Sequence, residues 1–153
     1  MNHGYLLDNV KVTIASNTTA GAAGATTITS SAIDMAGYDG CCFLVPLGTI
    51  VSGSVSSIKV QQSDDDAASD DYTDVLDSAI TIADTDDDKL KYVDILRPGK
   101  RYLKLLVLRT VQNLTAGGIL AIQYQKRMKP QAGITHGTGV AGESWTSKAE
   151  GTA

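Results

Sequence analysis

The chain is short of positive charge, aromatic rings, cysteine and long apolar runs, and each shortage removes a class of protein. Thirteen Lys and Arg stand against seventeen Asp and Glu, a formal net charge of −4. Binding to free DNA or RNA rests on many cationic contacts to phosphates, so nucleic acid is not an expected partner. No stretch approaches the ~18 apolar residues that a bilayer crossing needs, and no membrane partner is expected. Residues Met1 to Asp8 have neither the basic flank nor the apolar core of a secretion signal. The two cysteines, Cys41 and Cys42, are adjacent. In a strand they point to opposite faces, so they read as a small buried filler and its outward neighbour rather than as a disulfide. Synthesis in a reducing cytoplasm fits.

Catalysis has little to draw on. The only histidines, His3 and His136, lie in the terminal segments, and neither neighbours a nucleophile in sequence. Gly142-Glu143-Ser144-Trp145 lacks the Gly-x-Ser-x-Gly turn that exposes a serine nucleophile. No glycine loop of phosphate-cradling form is present, so neither an enzyme nor a cofactor is expected. Twelve of the seventeen acidic residues fall between Asp64 and Asp94. Asp84, Asp86 and Asp88 match the first three ligands of a calcium-binding EF-hand loop, but Lys89 stands where glycine must turn the chain and Ile95 where the bidentate glutamate belongs. Solvated loop tips are the preferred reading, and no metal is expected.

What is present is strand patterning. Hydrophobic residues make up 42% and charged residues 20%, the balance of a folded chain, and 153 residues suit one domain. Val10, Val12 and Ile14 alternate, a strand signal. Residues 26–35 carry Ile28, Ile33 and Met35, whose spacing shifts parity, so a bulge is expected near Ser30-Ser31. The turn Gly37-Tyr38-Asp39-Gly40 leads into Cys41 to Leu47, apolar on both faces and therefore placed mid-core, with Pro46 at a bulge or edge. Ile58 and Val60 alternate with Lys59 and Gln61. Leu90 to Leu96 alternates imperfectly. Arg97-Pro98-Gly99-Lys100 has the chemistry of a type II turn, proline fixing φ and Gly99 supplying a positive one. Leu103, Leu105 and Val107 share a face of the next run. Gly117-Gly118 permits a tight reversal into Ile119 to Arg127, with Leu120, Ile122 and Tyr124 inward, making a hairpin with the preceding strand.

Eight or nine short strands without a capped helix predict an all-β fold, an antiparallel β-sandwich of jelly-roll type, with an immunoglobulin-like sandwich second. The expected organisation is an N-terminal strand and extended arm over residues 1–25, the sandwich over 26–130, and an extended C-terminal arm over 131–153. That arm is too poor in apolar residues to offset its own ordering cost, which implies a partner surface, with Trp145 the natural anchor. Basic residues gather in the C-terminal half: Arg97, Lys100, Arg101, Lys104, Arg109, Lys126, Arg127 and Lys129. The plain reading is the outward faces of two paired strands. The functional alternative is a basic face complementing the Asp-rich loops of a neighbour. The candidate partner-binding residues are thus Trp145, Arg97, Lys100, Arg101, Lys126, Arg127 and Lys129.

Gly37-Tyr38-Asp39-Gly40, Val60-Gln61-Gln62-Ser63-Asp64-Asp65, Tyr72-Thr73-Asp74, Asp84 to Lys89, Arg97 to Tyr102 and Gly118 to Tyr124 occur in this order. The succession, over about residues 33 to 130, resembles the head decoration (cement) proteins of tailed bacteriophages. The ending Ala149-Glu150-Gly151-Thr152-Ala153 resembles tails of that group, and the first 32 residues do not match it. The resemblance implies a β-sandwich on the capsid exterior, commonly a homotrimer near local three-fold positions, clamping neighbouring major capsid subunits. A head-fibre base or tail-associated component is the structural alternative. A carbohydrate- or host-surface-binding module is the rival from another class.

Overall fold

The computed structural model describes residues 5–18, 26–126 and 135–142. The described chain is a β-sandwich. Its strands are β1 (Lys11–Ser16), β2 (Ile28–Thr29), β3 (Ile33–Asp34), β4 (Tyr38–Ile50), β5 (Val55–Ser63), β6 (Thr73–Asp74), β7 (Ile80–Ile82), β8 (Leu90–Leu96), β9 (Tyr102–Thr110), β10 (Leu114–Ala116) and β11 (Ile119–Lys126). Single 3₁₀ turns occupy Leu6–Asp8 and Asp84–Asp86.

Several of these strands are pieces of one run, broken where the backbone slips. β2 and β3 both pair with β9, and between Thr29 opposite Leu106 and Ile33 opposite Leu103 the register slips by one residue. Ser30, at the slip, exchanges backbone and side-chain bonds with Leu105, so the bulge expected at Ser30-Ser31 is present. β6 and β7 likewise both pair with β5, and β10 and β11 both pair with β4. Eight runs remain. In one sheet the order is β1, β10/β11, β4, β8; in the other it is β2/β3, β9, β5, β6/β7.

The pairing has a simple origin. Lys11 faces Gln123, Ile28 faces Val107, Gly40 faces Leu96 and Gln61 faces Asp74. Each of these pairs is centred within residues 66–69. The chain is therefore one long antiparallel ribbon folded back at the Asp-rich loop and then rolled, so that β11 meets β4 and β9 meets β5. A rolled ribbon of eight runs is the jelly roll, the architecture anticipated from strand count.

Between the sheets lies an aliphatic core. Phe43, Val45, Ile58, Val60, Leu103, Leu105, Val107 and Ile119 are wholly buried. Cys41 is buried with them and Cys42 is half-buried on the other face, both as free thiols. Two of the buried polar side chains tie one sheet to the other. Gln123 of β11 donates to the Asp34 carbonyl at 2.8 Å. Arg109 of β9 donates to the carbonyls of Thr26 at 2.9 Å and Leu114 at 3.1 Å.

Four local expectations are corrected. β9 and β11 do not form a hairpin; they lie in different sheets, and Gly117-Gly118 is a bulge between β10 and β11 against β4. Gly118 adopts φ +103 there, and a Cβ on it would meet the Ser16 carbonyl at 2.8 Å. Inward-facing residues of β11 are Ile119, Ala121 and Gln123, not Leu120, Ile122 and Tyr124, because β11 takes its register from β4 rather than β9. The type II turn at Arg97 to Lys100 is not formed. Gly99 lacks a positive φ and Arg97 carries one, +53°, as the chain leaves one sheet for the other. Finally, the turn before β4 is at Ala36-Gly37, and Tyr38 to Gly40 already belong to the strand. Pro46 sits at a bulge as expected, its carbonyl accepting from Gly117.

Candidate functional site

The two sheets present different outer faces. Cross-strand partners in an antiparallel sheet share a face, so register assigns each side chain. On the sheet containing β9 and β5, Lys59 lies opposite Leu106 and Gln61 opposite Lys104. Lys59 and Gln61 also bond Asp74 of β6 at 2.8 Å each. That face is mixed, with Leu106 and Leu108 of β9 set among Ser57, Lys59, Gln61 and Lys104.

The outer face of the other sheet is apolar across four strands. β1 supplies Val12 and Ile14, opposite Ile122 and Leu120 of β11. Those face Cys42 and Leu44 of β4, and Leu44 faces Tyr92 of β8. Leu90 lies opposite Pro46, and Leu96 opposite Gly40. Exposure rises toward the β8 edge, reaching 54% at Leu90, 61% at Tyr92 and 54% at Leu96. A contiguous apolar face of this kind marks a contact surface. The signal was in the sequence. Cys41 to Leu47 is apolar on both faces and Leu90 to Leu96 alternates imperfectly, because in both strands the outer face is apolar too.

One polar group crosses this face. Tyr124 lies over Gly40, and its hydroxyl donates to Asp94 Oδ1 at 2.7 Å. Burial and the Asp94 carboxylate push the phenol up to about 12, so it stays protonated and donating. The thiols of Cys41 and Cys42 are also raised, first by burial and then by neighbouring acidic groups. A nucleophilic cysteine needs the opposite, a lowered thiol.

The β1 edge of this sheet is met by a C-terminal segment. The Gly137 amide donates to the Val12 carbonyl at 2.8 Å, and the Val12 amide donates to His136 Nδ1 at 3.2 Å. His136 and Gly137 thereby occupy the β1 edge at Val12 through one side-chain and one backbone bond.

The basic residues singled out from sequence separate into three groups. Lys100 pairs with Asp70 at 2.7 Å and Arg101 forks onto Asp34 with two bonds of 2.8 Å. Lys104 pairs with Asp66 at 3.3 Å and stands over the Tyr72 ring at 4.0 Å. Asp34, Asp66 and Asp70 are held below the usual carboxylate range chiefly by side-chain hydrogen bonds, from Arg101, Tyr72 and Lys100 respectively. The Asp-rich loop thus meets the basic strand ends within one chain. Arg109 is not on an outward face at all; it is buried between the sheets. Arg97 and Lys126 lie near one another at one end of the apolar face, beside Tyr38 to Gly40 of β4. Trp145, Arg127 and Lys129 lie outside the described residues.

The acidic residues after β7 act on the backbone. Asp84 accepts from the Gly53 amide and Asp87 from the Ile50 amide, both at 2.6 Å. Asp86 accepts from the Ala83 amide and from Lys89 and Lys91, and these partners, Lys91 foremost, hold its carboxyl well below the ordinary range. They staple this loop to the β4–β5 end of the sandwich. Among the described residues no group of three or more His, Cys, Asp or Glu is placed to hold a metal ion.

No family model and no curated protein matches the chain. Among solved structures, the infectious bursal disease virus Gx strain is 17% identical, with TM-score 0.47 over 79% of this chain and 33% of that one. The structure of the Gt strain is 16% identical, with TM-score 0.44 over the same shares. The chain spans about a third of the length of these structures.

Proposed function

We propose that this chain is a virion structural protein, a head decoration or cement protein of a tailed phage, which binds the capsid exterior and clamps neighbouring major capsid subunits. The apolar outer face of the β1–β11–β4–β8 sheet carries the reading, because it is a contiguous, partly exposed apolar surface spanning four strands. The sequence resemblance over residues 33 to 130 supports the particular partner. Arrangement as a homotrimer around local three-fold positions, completed on the head surface, belongs to the same reading. Arg97 and Lys126 supply charge at one end of that face, and Arg127 and Lys129, outside the described residues, are proposed as further partner contacts. Lys100 and Arg101, neutralised by Asp70 and Asp34, contribute less. Trp145 on the C-terminal arm is the anchor, and many simultaneous modest contacts make the attachment lasting.

The test is co-sedimentation with expanded heads that lack the protein. Ile14→Lys and Leu44→Lys place charges on the face without entering the core. Each is expected to keep the strand signature in circular dichroism and to lose retention on heads. Removal of residues 143–153, which takes away Trp145, is expected to reduce retention as well. Unchanged occupancy for all three variants overturns the proposal.

A further inference from the structure

We infer that β8 is a pairing edge for a second copy of this chain, joining two sandwiches antiparallel about a two-fold axis through Val93. The inference does not rest on attachment to a capsid. The Arg97 amide donates to the Asp39 carbonyl and the Leu47 amide to the Lys89 carbonyl. These bonds bracket the β4–β8 ladder, so the odd-numbered residues of β8 turn their backbone groups to β4. Leu90, Tyr92, Asp94 and Leu96 turn theirs the other way. Among the described residues no strand pairs with that side, whereas the opposite edge of the sheet, β1, is engaged by His136 and Gly137.

Such an edge is a template for another strand unless it is blunted. Lys91, the residue suited to guard it, lies on the inner face and is held by Asp86 at 2.7 Å. The strand is also complementary to itself. Antiparallel pairing about Val93 sets Leu90 against Leu96 of the second copy and Tyr92 against its Asp94, each twice. It engages all four outward amides and carbonyls of each copy. The Tyr92 hydroxyl then faces a carboxylate that still has acceptor capacity beside its bond from Tyr124. Slipping two residues one way sets Asp94 against Asp94, which like charges oppose. Slipping the other way leaves Leu96 unpaired. Length and charge together select one register. The sheets of the two copies join edge to edge, and their apolar outer faces become continuous.

The experiment is sedimentation equilibrium of the full chain over a wide concentration range, followed by register mapping. A concentration-dependent species at twice the 16.0 kDa chain mass, or a higher even multiple, is expected. Tyr92→Pro removes an amide that points away from β4, so the internal ladder is kept and the assembly is lost. Register is read in a Cys42→Ser background by mixing Tyr92→Cys protein with Asp94→Cys protein under mild oxidation. The mixed cross-link is expected to exceed both homodimeric ones several-fold, and this decides the matter even if the proline variant unfolds. A monomer at every concentration, as when another segment of the same chain takes the edge, overturns the inference. So does a trimer as the sole assembly, or a mixed cross-link no stronger than the homodimeric ones.

Discussion

Replacing Gly40 with alanine puts a methyl group 2.2 Å from Cζ of Tyr124 and 2.4 Å from its nearer ring carbon. Carbon atoms rest about 3.5–4.0 Å apart, so the ring must withdraw by ~1.5 Å. Its hydroxyl is 2.7 Å from Asp94, and a withdrawal of that size breaks the bond. Overpacking of this kind costs about 1–3 kcal/mol, and the exposed hydrogen bond adds about 0.5–1 kcal/mol. Against this, Gly→Ala recovers about 0.4–1 kcal/mol by restricting the unfolded chain. The net is a loss of about 2 kcal/mol, and at 2–4 °C per kcal/mol for a chain of this size the melting temperature falls by about 4–8 °C. Thermal unfolding followed by circular dichroism measures it. The cause is isolated by repeating the substitution in Tyr124→Ala, where the ring is gone and Gly40→Ala is expected to be neutral or slightly stabilising. Tyr124→Phe keeps the ring and removes only the hydroxyl bond, separating the two contributions. A Gly40→Ala penalty of equal size with and without the ring would refute the reasoning.

Other outcomes follow from the same contacts. Ser78 Oγ accepts from the Val60 amide and donates to its carbonyl where β6 and β7 leave β5 uncovered; Ser78→Ala is expected to cost about 1–3 kcal/mol in urea unfolding. Arg109→Ala takes a charged donor from two carbonyls in the core and is expected to cost about 3 kcal/mol or more, with Arg109→Lys recovering only part. Asp34, Asp70, Asp74 and Asp86 are all held below the ordinary carboxylate range, chiefly by hydrogen bonds from cationic partners. A depressed carboxylate stabilises above its unfolded value and loses that contribution as pH falls through the folded one. Stability should therefore be level above about pH 5 and fall steadily below about pH 4, and Arg101→Met should flatten that fall by removing the Asp34 share. Both are read from denaturant midpoints as a function of pH.

Much of the fold was legible because a sandwich strand carries its own period. Ile58 and Val60 alternate with Ser57, Lys59 and Gln61, Leu103, Leu105 and Val107 share one face of their run, and each landed in the core. Where the parity slipped, at Ser30-Ser31, the backbone slips as well. Reading failed where both faces of a strand are apolar. In Ile119 to Lys126 the pattern allows either face to be inward, and only pairing with β4 chooses Ile119, Ala121 and Gln123. The same ambiguity hid the candidate site, since the run Cys41 to Leu47 reads as mid-core as a whole although Leu44 lies on an outer face. Arg109 misled for a different reason: a charge predicts exposure unless carbonyls at a sheet crossing are placed to receive it.

By itself, then, the sequence determined that this is an all-β sandwich with an acidic loop near its middle, because alternation and turn chemistry are local properties of the chain. It did not determine which strands pair. That comes from the folding back of one ribbon about residues 66–69 and its rolling, and partners in such a roll are far apart in sequence. Tertiary structure alone decided that Asp34, Asp66 and Asp70 neutralise Arg101, Lys104 and Lys100 in the same chain. It also decided that, among the described residues, one sheet keeps an apolar outer face and an unpaired β8 edge, because only register says which side of a two-faced strand looks outward.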